Sequence, residues 1–176
     1  MRDISMHVLD IAMNSIKANA TVIKIMIIES DETIRLIIKD NGCGMDKETL
    51  NSVVDPFFTT RKTRNVGLGI PLLYQNVKRT SGKFNITSSL KLGTAIEAIF
   101  NRKHIDCIPL GDINETIISL ILLEPLIDFI YTRKNSFKKY VLNTKKIKRV
   151  LNGVKINEKE VIDWLKADLL NFSMAF

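Results

Sequence analysis

A chain of 176 residues, 45% apolar and 26% charged, has the length of about one ordinary domain with an appendage and the composition of a folded protein, which excludes a disordered or low-complexity role. Its net charge of +7 is modest and lies mostly before residue 104, so a polyphosphate pocket accounts for it as well as a nucleic-acid surface does. Cys43 and Cys107 lack the spacing of a metal site or disulfide framework, no signal peptide is legible, and the most apolar run, 117–130, is broken by Glu124 and Pro125; a cytoplasmic protein without a membrane span is expected.

Residues 4–20 carry Ile4, Val8, Ile11 and Ser15 at helical spacing, one apolar or small face. Asp10, Asn14 and Lys17 fall on a second stripe of the same helix. Such a row can be surface decoration. Read chemically, an Asn oxygen is a hard ligand able to complete the shell of a Mg²⁺ already held by phosphates, Lys17 neutralises a phosphate, and Asp10 orients water. His7, one turn before Asp10, reads as a structural residue.

Residues 21–29 and 33–39 are rich in β-branched side chains and read as an antiparallel hairpin through Ser30-Asp31-Glu32. The second strand runs into Asp40-Asn41-Gly42-Cys43-Gly44-Met45. Taken alone, Asp-Asn-Gly is the sequence of a tight turn. Chemically it suits a base selector: the glycines let backbone approach a flat ligand, and Asp40 accepts from the N6 amine of adenine, where guanine presents an acceptor.

Asp46, with Thr49 in the N3 place, starts a short helix to about Val54. Pro56 stops it, Phe57 and Phe58 can anchor the segment, and Thr59, Thr60, Arg61, Lys62 and the residues to Asn65 have the make-up of a mobile flap. Gly67-Leu68-Gly69 introduces a helix over 70–80 with Pro71 in its first turn, and backbone N–H groups at such a start favour anions. Residues 83–89 and 94–101 form a second antiparallel pair turned by Lys91-Leu92-Gly93, with Thr94 at a strand start. The expected fold is α+β, a two-layer sandwich in which helices cover one face of a mainly antiparallel sheet.

The order of these five motifs, an Asn-bearing first helix, Asp-x-Gly-x-Gly, Phe-Phe-Thr-Thr-Arg-Lys, Gly-Leu-Gly-Ile and Gly-Thr, resembles the Bergerat ATP-binding fold of gyrase, the heat-shock chaperone, histidine kinases and MutL-type mismatch-repair ATPases (GHKL), over about residues 3–102. The resemblance implies ATP and Mg²⁺ as ligands. It makes Asn14 the Mg²⁺ ligand, Lys17 a phosphate contact, Asp40 the adenine reader, Gly42, Gly44 and Met45 the bed beneath the base, and Gly67, Leu68 and Gly69 the phosphate loop. Thr94 would join Asp40 around the base, and Thr59, Thr60, Arg61 and Lys62 would belong to the lid. The Asp55–Thr60 stretch is similar to the F box of kinase-type members, whereas Asn14-Ser15 with residues 40–44 reads more like MutL. Asp10 stands where gyrase and MutL types carry a Glu general base, Asn65 stands where the kinase loop has its first glycine, and few residues separate the F box from Gly67; these departures put hydrolysis, rather than binding, in question.

The tail divides the chain into an ATP-binding domain, 1–103, and a C-terminal α+β extension, 104–176. A helix is expected over 113–123, a hairpin over 126–131 and 136–142, a basic helix over 144–151, and an amphipathic helix over 161–170 around Trp164. Its apolar density requires folding, on itself or against the first domain. The Lys138-Lys139 and Lys145-Lys146-Lys148-Arg149 clusters read as a solvated face rather than a surface for nucleic acid or acidic protein. The sequence leaves no room before the first helix for a phospho-acceptor hairpin, so a stand-alone protein is expected, either a kinase of histidine or anti-sigma-factor type or a slow ATPase. The alternative is a non-catalytic, nucleotide-gated module acting on a partner protein.

Overall fold

The computed structural model describes residues 2–54 and 68–174. Asp3 starts α1 (Ile4–Lys17) by adopting an extended backbone and accepting the Met6 N–H at 2.9 Å. The other free donors of that turn, the N–H groups of Ile4 and Ser5, donate to the carbonyls of Pro109 and Leu110, both at 2.9 Å. The returning tail thus completes the cap of the first helix. α1 ends at Lys17 rather than at 20 because Asn19 takes φ 59°, a left-handed turn that leads into the sheet.

β1 (Val22–Glu29) and β2 (Thr33–Asp40) pair antiparallel with Ile25 opposite Ile38. Asp46 caps α2 (Lys47–Ser52) by accepting the Thr49 N–H at 2.8 Å, a bond that holds its carboxyl below the usual range. After α3 (Gly69–Arg79) come β3 (Lys83–Ser89) and β4 (Gly93–Asn101), then α4 (Ile113–Leu123), β5 (Asp128–Lys134), β6 (Lys139–Asn143), α5 (Thr144–Leu151) and α6 (Lys159–Met174).

The strands form one sheet in the order β3-β4-β2-β1-β5-β6. β1 and β5 run parallel; the other neighbours are antiparallel. Period-two alternation buries Ile23, Ile25 and Ile27 with Leu36, Ile38, Ile96 and Phe100 on one face, and leaves Lys24, Arg35 and Lys39 on the other. Helices cover the buried face, with Val8 and Ile11 of α1 and Leu73 and Val77 of α3 in the same core. This is the expected α+β sandwich.

The tail joins the first part: Ile25 lies opposite Tyr131 on β5, and Phe129, Tyr131, Leu165 and Leu169 are buried in the common core. Its hairpin sits later than expected, with β6 beginning at Lys139, because the Asn135 side chain accepts the N–H groups of Phe137 and Lys138, both at 2.8 Å, and draws those residues into the turn. Among the described residues no helix is long and apolar enough to cross a membrane.

Candidate functional site

Asp40 ends β2 beneath α1, only 8% exposed, and its carboxylate collects three donors. Oδ1 accepts the N–H groups of Gly42 (2.8 Å) and Thr94 (3.2 Å), and Oδ2 accepts the Ser15 hydroxyl at 2.8 Å. Burying a carboxylate is costly unless it is hydrogen-bonded, and these bonds meet that need. A carboxylate offers about four acceptor sites, so one remains for a ligand's donor.

Two of these partners differ from the sequence reading. Thr94 meets Asp40 through its backbone N–H, while its hydroxyl lies 2.9 Å from Ser88 Oγ. Ser15, read as a small member of the apolar stripe, is buried and donates to Asp40 at 2.8 Å, with the Ile11 carbonyl as a longer acceptor at 3.2 Å. The available signal was a hydroxyl within an otherwise apolar helical face, since a buried hydroxyl needs a partner. Ser88 was missed too; it accepts the Met45 N–H and donates to the Gly93 carbonyl, both at 2.9 Å, tying the segment after Asp40 to the β3–β4 turn.

The glycines after Asp40 answer to protein neighbours. A Cβ on Gly42 would stand 2.8 Å from the Ala18 carbonyl oxygen, and one on Gly44, which has φ +67°, would stand 2.0 Å from that of Ser89. The segment is therefore threaded between the end of α1 and the β3–β4 turn, with Cys43 N–H donating to Ala18 O at 2.8 Å and Lys91 N–H to Cys43 O at 2.7 Å. Asn41 fixes its start: its Oδ1 accepts the N–H groups of Thr21 and Val22. Met45 is half-buried against the core.

On α1, Asp10 and Asn14 are half-buried and Lys17 is exposed. The carboxylate of Asp10 lies against the first residue of α3: a Cβ on Gly69 would be 2.9 Å from Asp10 Oδ2. Among the described residues the Asn14 amide and the Lys17 ammonium have no hydrogen-bond or ion-pair partner. α3 starts without a side-chain cap, and Leu68 before it is exposed. The structure thus gathers Gly42, Gly44, Met45 and Thr94 around the end of β2 at Asp40 and sets Asp10 against Gly69, while Asn14 and Lys17 follow Asp10 along α1. Thr59, Thr60, Arg61, Lys62 and Gly67, with the expected lid, lie outside the described residues.

His7 is structural in its setting. It is fully buried on the side of α1 that meets α3, where the Asn76 amide donates to Nε2 at 2.8 Å and leaves the ring proton on Nδ1, which has no acceptor among the described residues. Burial pushes its pKa down to about 4, so the ring is neutral at pH 7.

A family model described as histidine kinase-, DNA gyrase B-, and HSP90-like ATPase matches residues 2–104. A putative sensor protein of Shewanella frigidimarina is 47% identical over 66 residues, which cover 37% of this chain and 10% of that protein. Sporulation kinase A of Bacillus subtilis is 27% identical over 103 residues, 58% of this chain and 17% of the kinase. The matches thus span less than a fifth of these relatives. Among solved structures, the Aquifex aeolicus MutL ATPase domain complexed with ADP superposes with a TM-score of 0.51 at 17% identity, covering 81% of this chain and 63% of that one. The N-terminal domain of a DNA repair protein gives a TM-score of 0.56 at 16% identity, over 81% of this chain and 53% of that one. At such identities the likeness concerns the fold alone.

Proposed function

The chain belongs to the histidine kinase-, DNA gyrase B-, and HSP90-like ATPase family, and from that premise we propose that residues 1–103 bind ATP with Mg²⁺ and pass its γ-phosphate, slowly, to a protein substrate or to water. The observation that carries this reading is the Asp40 carboxylate, held by three protein donors with one acceptor site over, which selects the N6 amine of adenine. Residues 104–176 form the extension through which a partner is engaged.

The residues present suit the metal. Among the described residues no group of three or more His, Cys, Asp or Glu side chains is gathered for a cation, and the Asn14 oxygen is uncommitted; the cation would take its remaining ligands from the nucleotide's phosphates and water. Bound there, Mg²⁺ supplies charge neutralisation for the phosphates. Lys17 adds a fixed positive charge on the same stripe, and the uncapped start of α3 favours an anion. Asp10, at the foot of α3, orients the attacking group. One methylene shorter than a Glu, it reaches less far, so turnover is slow.

A second reading, a nucleotide-gated module without turnover, is favoured by that same short side chain lying against Gly69. Two variants separate the readings. Asn14→Ala is expected to abolish Mg²⁺-assisted ATP binding in calorimetric titration, whereas Asp10→Asn keeps binding and removes transfer from γ-labelled ATP, measured with and without cell extract. Absence of transfer and of phosphate release from the parent leaves the gated module as the better reading, and parental turnover in Asp10→Asn removes Asp10 from the chemistry.

A further inference from the structure

The extension carries an apolar cleft of about 460 Å³ between α5 and α6, lined by Ile147, Val150 and Leu151 on one wall and Val161 and Trp164 on the other. Its lining includes side chains that a monomer in water gains nothing by displaying: Val150 is 85% exposed and Trp164, the chain's single tryptophan, 55%. Leu126, also exposed, stands beside the same helix, since Lys148 Nζ donates to the carbonyls of Leu126 and Ile127.

The two lips differ in charge. From Thr144 to Asn157 the sequence holds Lys145, Lys146, Lys148, Arg149 and Lys155 and no acidic residue, while α6 contributes Glu160 to the lining, from a stretch that also holds Lys159 and Asp163. Lys148 is spent on Asp128 at 2.9 Å, and Lys145 lies 4.0 Å from the same carboxylate. Lys146, which lines the cleft, and Arg149 have no ionic partner among the described residues.

We propose that this cleft receives the apolar face of an amphipathic helix from a partner protein, oriented so that acidic side chains flank its apolar stripe on the α5 side. Concavity requires a convex occupant; a second copy of the same cleft would enclose a void. A bilayer presents a flat face and offers no convex row of side chains to enter a groove. A helix presenting residues at i, i+3, i+4 and i+7 fills such a groove, and charge pairing across the α5 lip sets its direction. The inference stands apart from nucleotide binding, since no residue of the cleft belongs to the proposed ATP site.

The test uses the full chain and a displayed library of helices with a fixed apolar stripe and flanks randomised among Glu, Lys and Ser. Selected helices are expected to be acidic on one flank, to shift Trp164 fluorescence to the blue, to lose binding to Val150→Asp, and to bind Lys146→Glu/Arg149→Glu about tenfold more weakly. The proposal is overturned by absence of enrichment over Val150→Asp, by flanks without charge preference, by a blue shift produced by phosphatidylglycerol vesicles and not by helices, or by a shift produced by raising protein concentration alone. Unchanged ATP affinity in Val150→Asp keeps this outcome distinct from that of the nucleotide reading.

Discussion

The β2 end of the sheet and the β5–β6 end are built on opposite plans. At the first, buried polar atoms are matched one to one, Asp40 with Ser15, Gly42 and Thr94, while the side chains facing outward, Asn14 and Lys17, have no partner among the described residues. At the second, the carboxylates beside the core are paired and apolar groups are left over: Asp128 is bound by Lys148, Glu29 by Arg133 at 2.7 Å, and Tyr140 donates its hydroxyl to Asp168 while stacking on Phe172 at 4.7 Å. An uncommitted polar group in a rigid frame suits a small polar ligand; an uncommitted apolar wall suits a protein. The contrast teaches that one sheet presents two unlike surfaces because the excess left after folding differs in kind at its two ends.

Asp40→Asn attacks the first plan most directly, since the new amide sets an N–H donor against one of three existing donors. It is expected to weaken ATP binding by about 3 kcal/mol, a loss of more than a hundredfold. Equal affinity of the parent for ATP and GTP in the same titration breaks the comparison at its root.

His7 comes next, a fully buried side chain of α1 whose Nδ1 has no hydrogen-bond partner among the described residues. Its folded pKa, about 4, lies below the 6.5 of the free side chain, so the unfolded chain binds the extra proton first. Stability from the neutral ring is therefore complete above pH 6.5 and is lost as pH falls from 6.5 towards 4, by about 3 kcal/mol. Urea unfolding of the parent and of His7→Gln across that window is expected to show the smaller acid loss in the variant.

Ser15→Ala removes one donor to Asp40 and leaves the other two. ATP affinity is expected to fall by about 1 kcal/mol, less than for Asp40→Asn, with the helical content by circular dichroism unchanged. A loss as large as that of Asp40→Asn means that Ser15 also touches the ligand.

The smallest effect is expected at the other end. Tyr140→Phe frees Asp168 at the surface of α6 and keeps the stacking on Phe172, so thermal stability is expected to drop by about 0.5 to 1 kcal/mol without any change in ATP affinity. Burial and the Asp168 carboxylate together push the Tyr140 hydroxyl well above the ordinary phenol range, so the donor keeps its proton through neutral and mildly alkaline pH. A change in nucleotide affinity in this variant joins the two ends that the structure keeps apart.

The sequence by itself determined what is local. Helical spacing set the faces of α1, the Asp46 cap and its Thr49 partner were readable three residues apart, and residues 144–151 matched α5 because the basic and apolar positions alternate with helical period. Motif order was enough for the family, since each motif is a short run whose chemistry does not depend on distant chain. Tertiary structure decided the rest. Nothing in residues 126–134 announces that they pair in parallel with Val22–Ile28, because a strand's pattern gives its buried face and not its neighbour. Nor could spacing show that Ser15 meets Asp40, 25 residues on, or that Pro109 and Leu110 cap the first helix, since such contacts arise only when the chain returns. The cleft between α5 and α6 is of the same kind: each helix hides part of its apolar stripe, and only their packing fixes which part is left open.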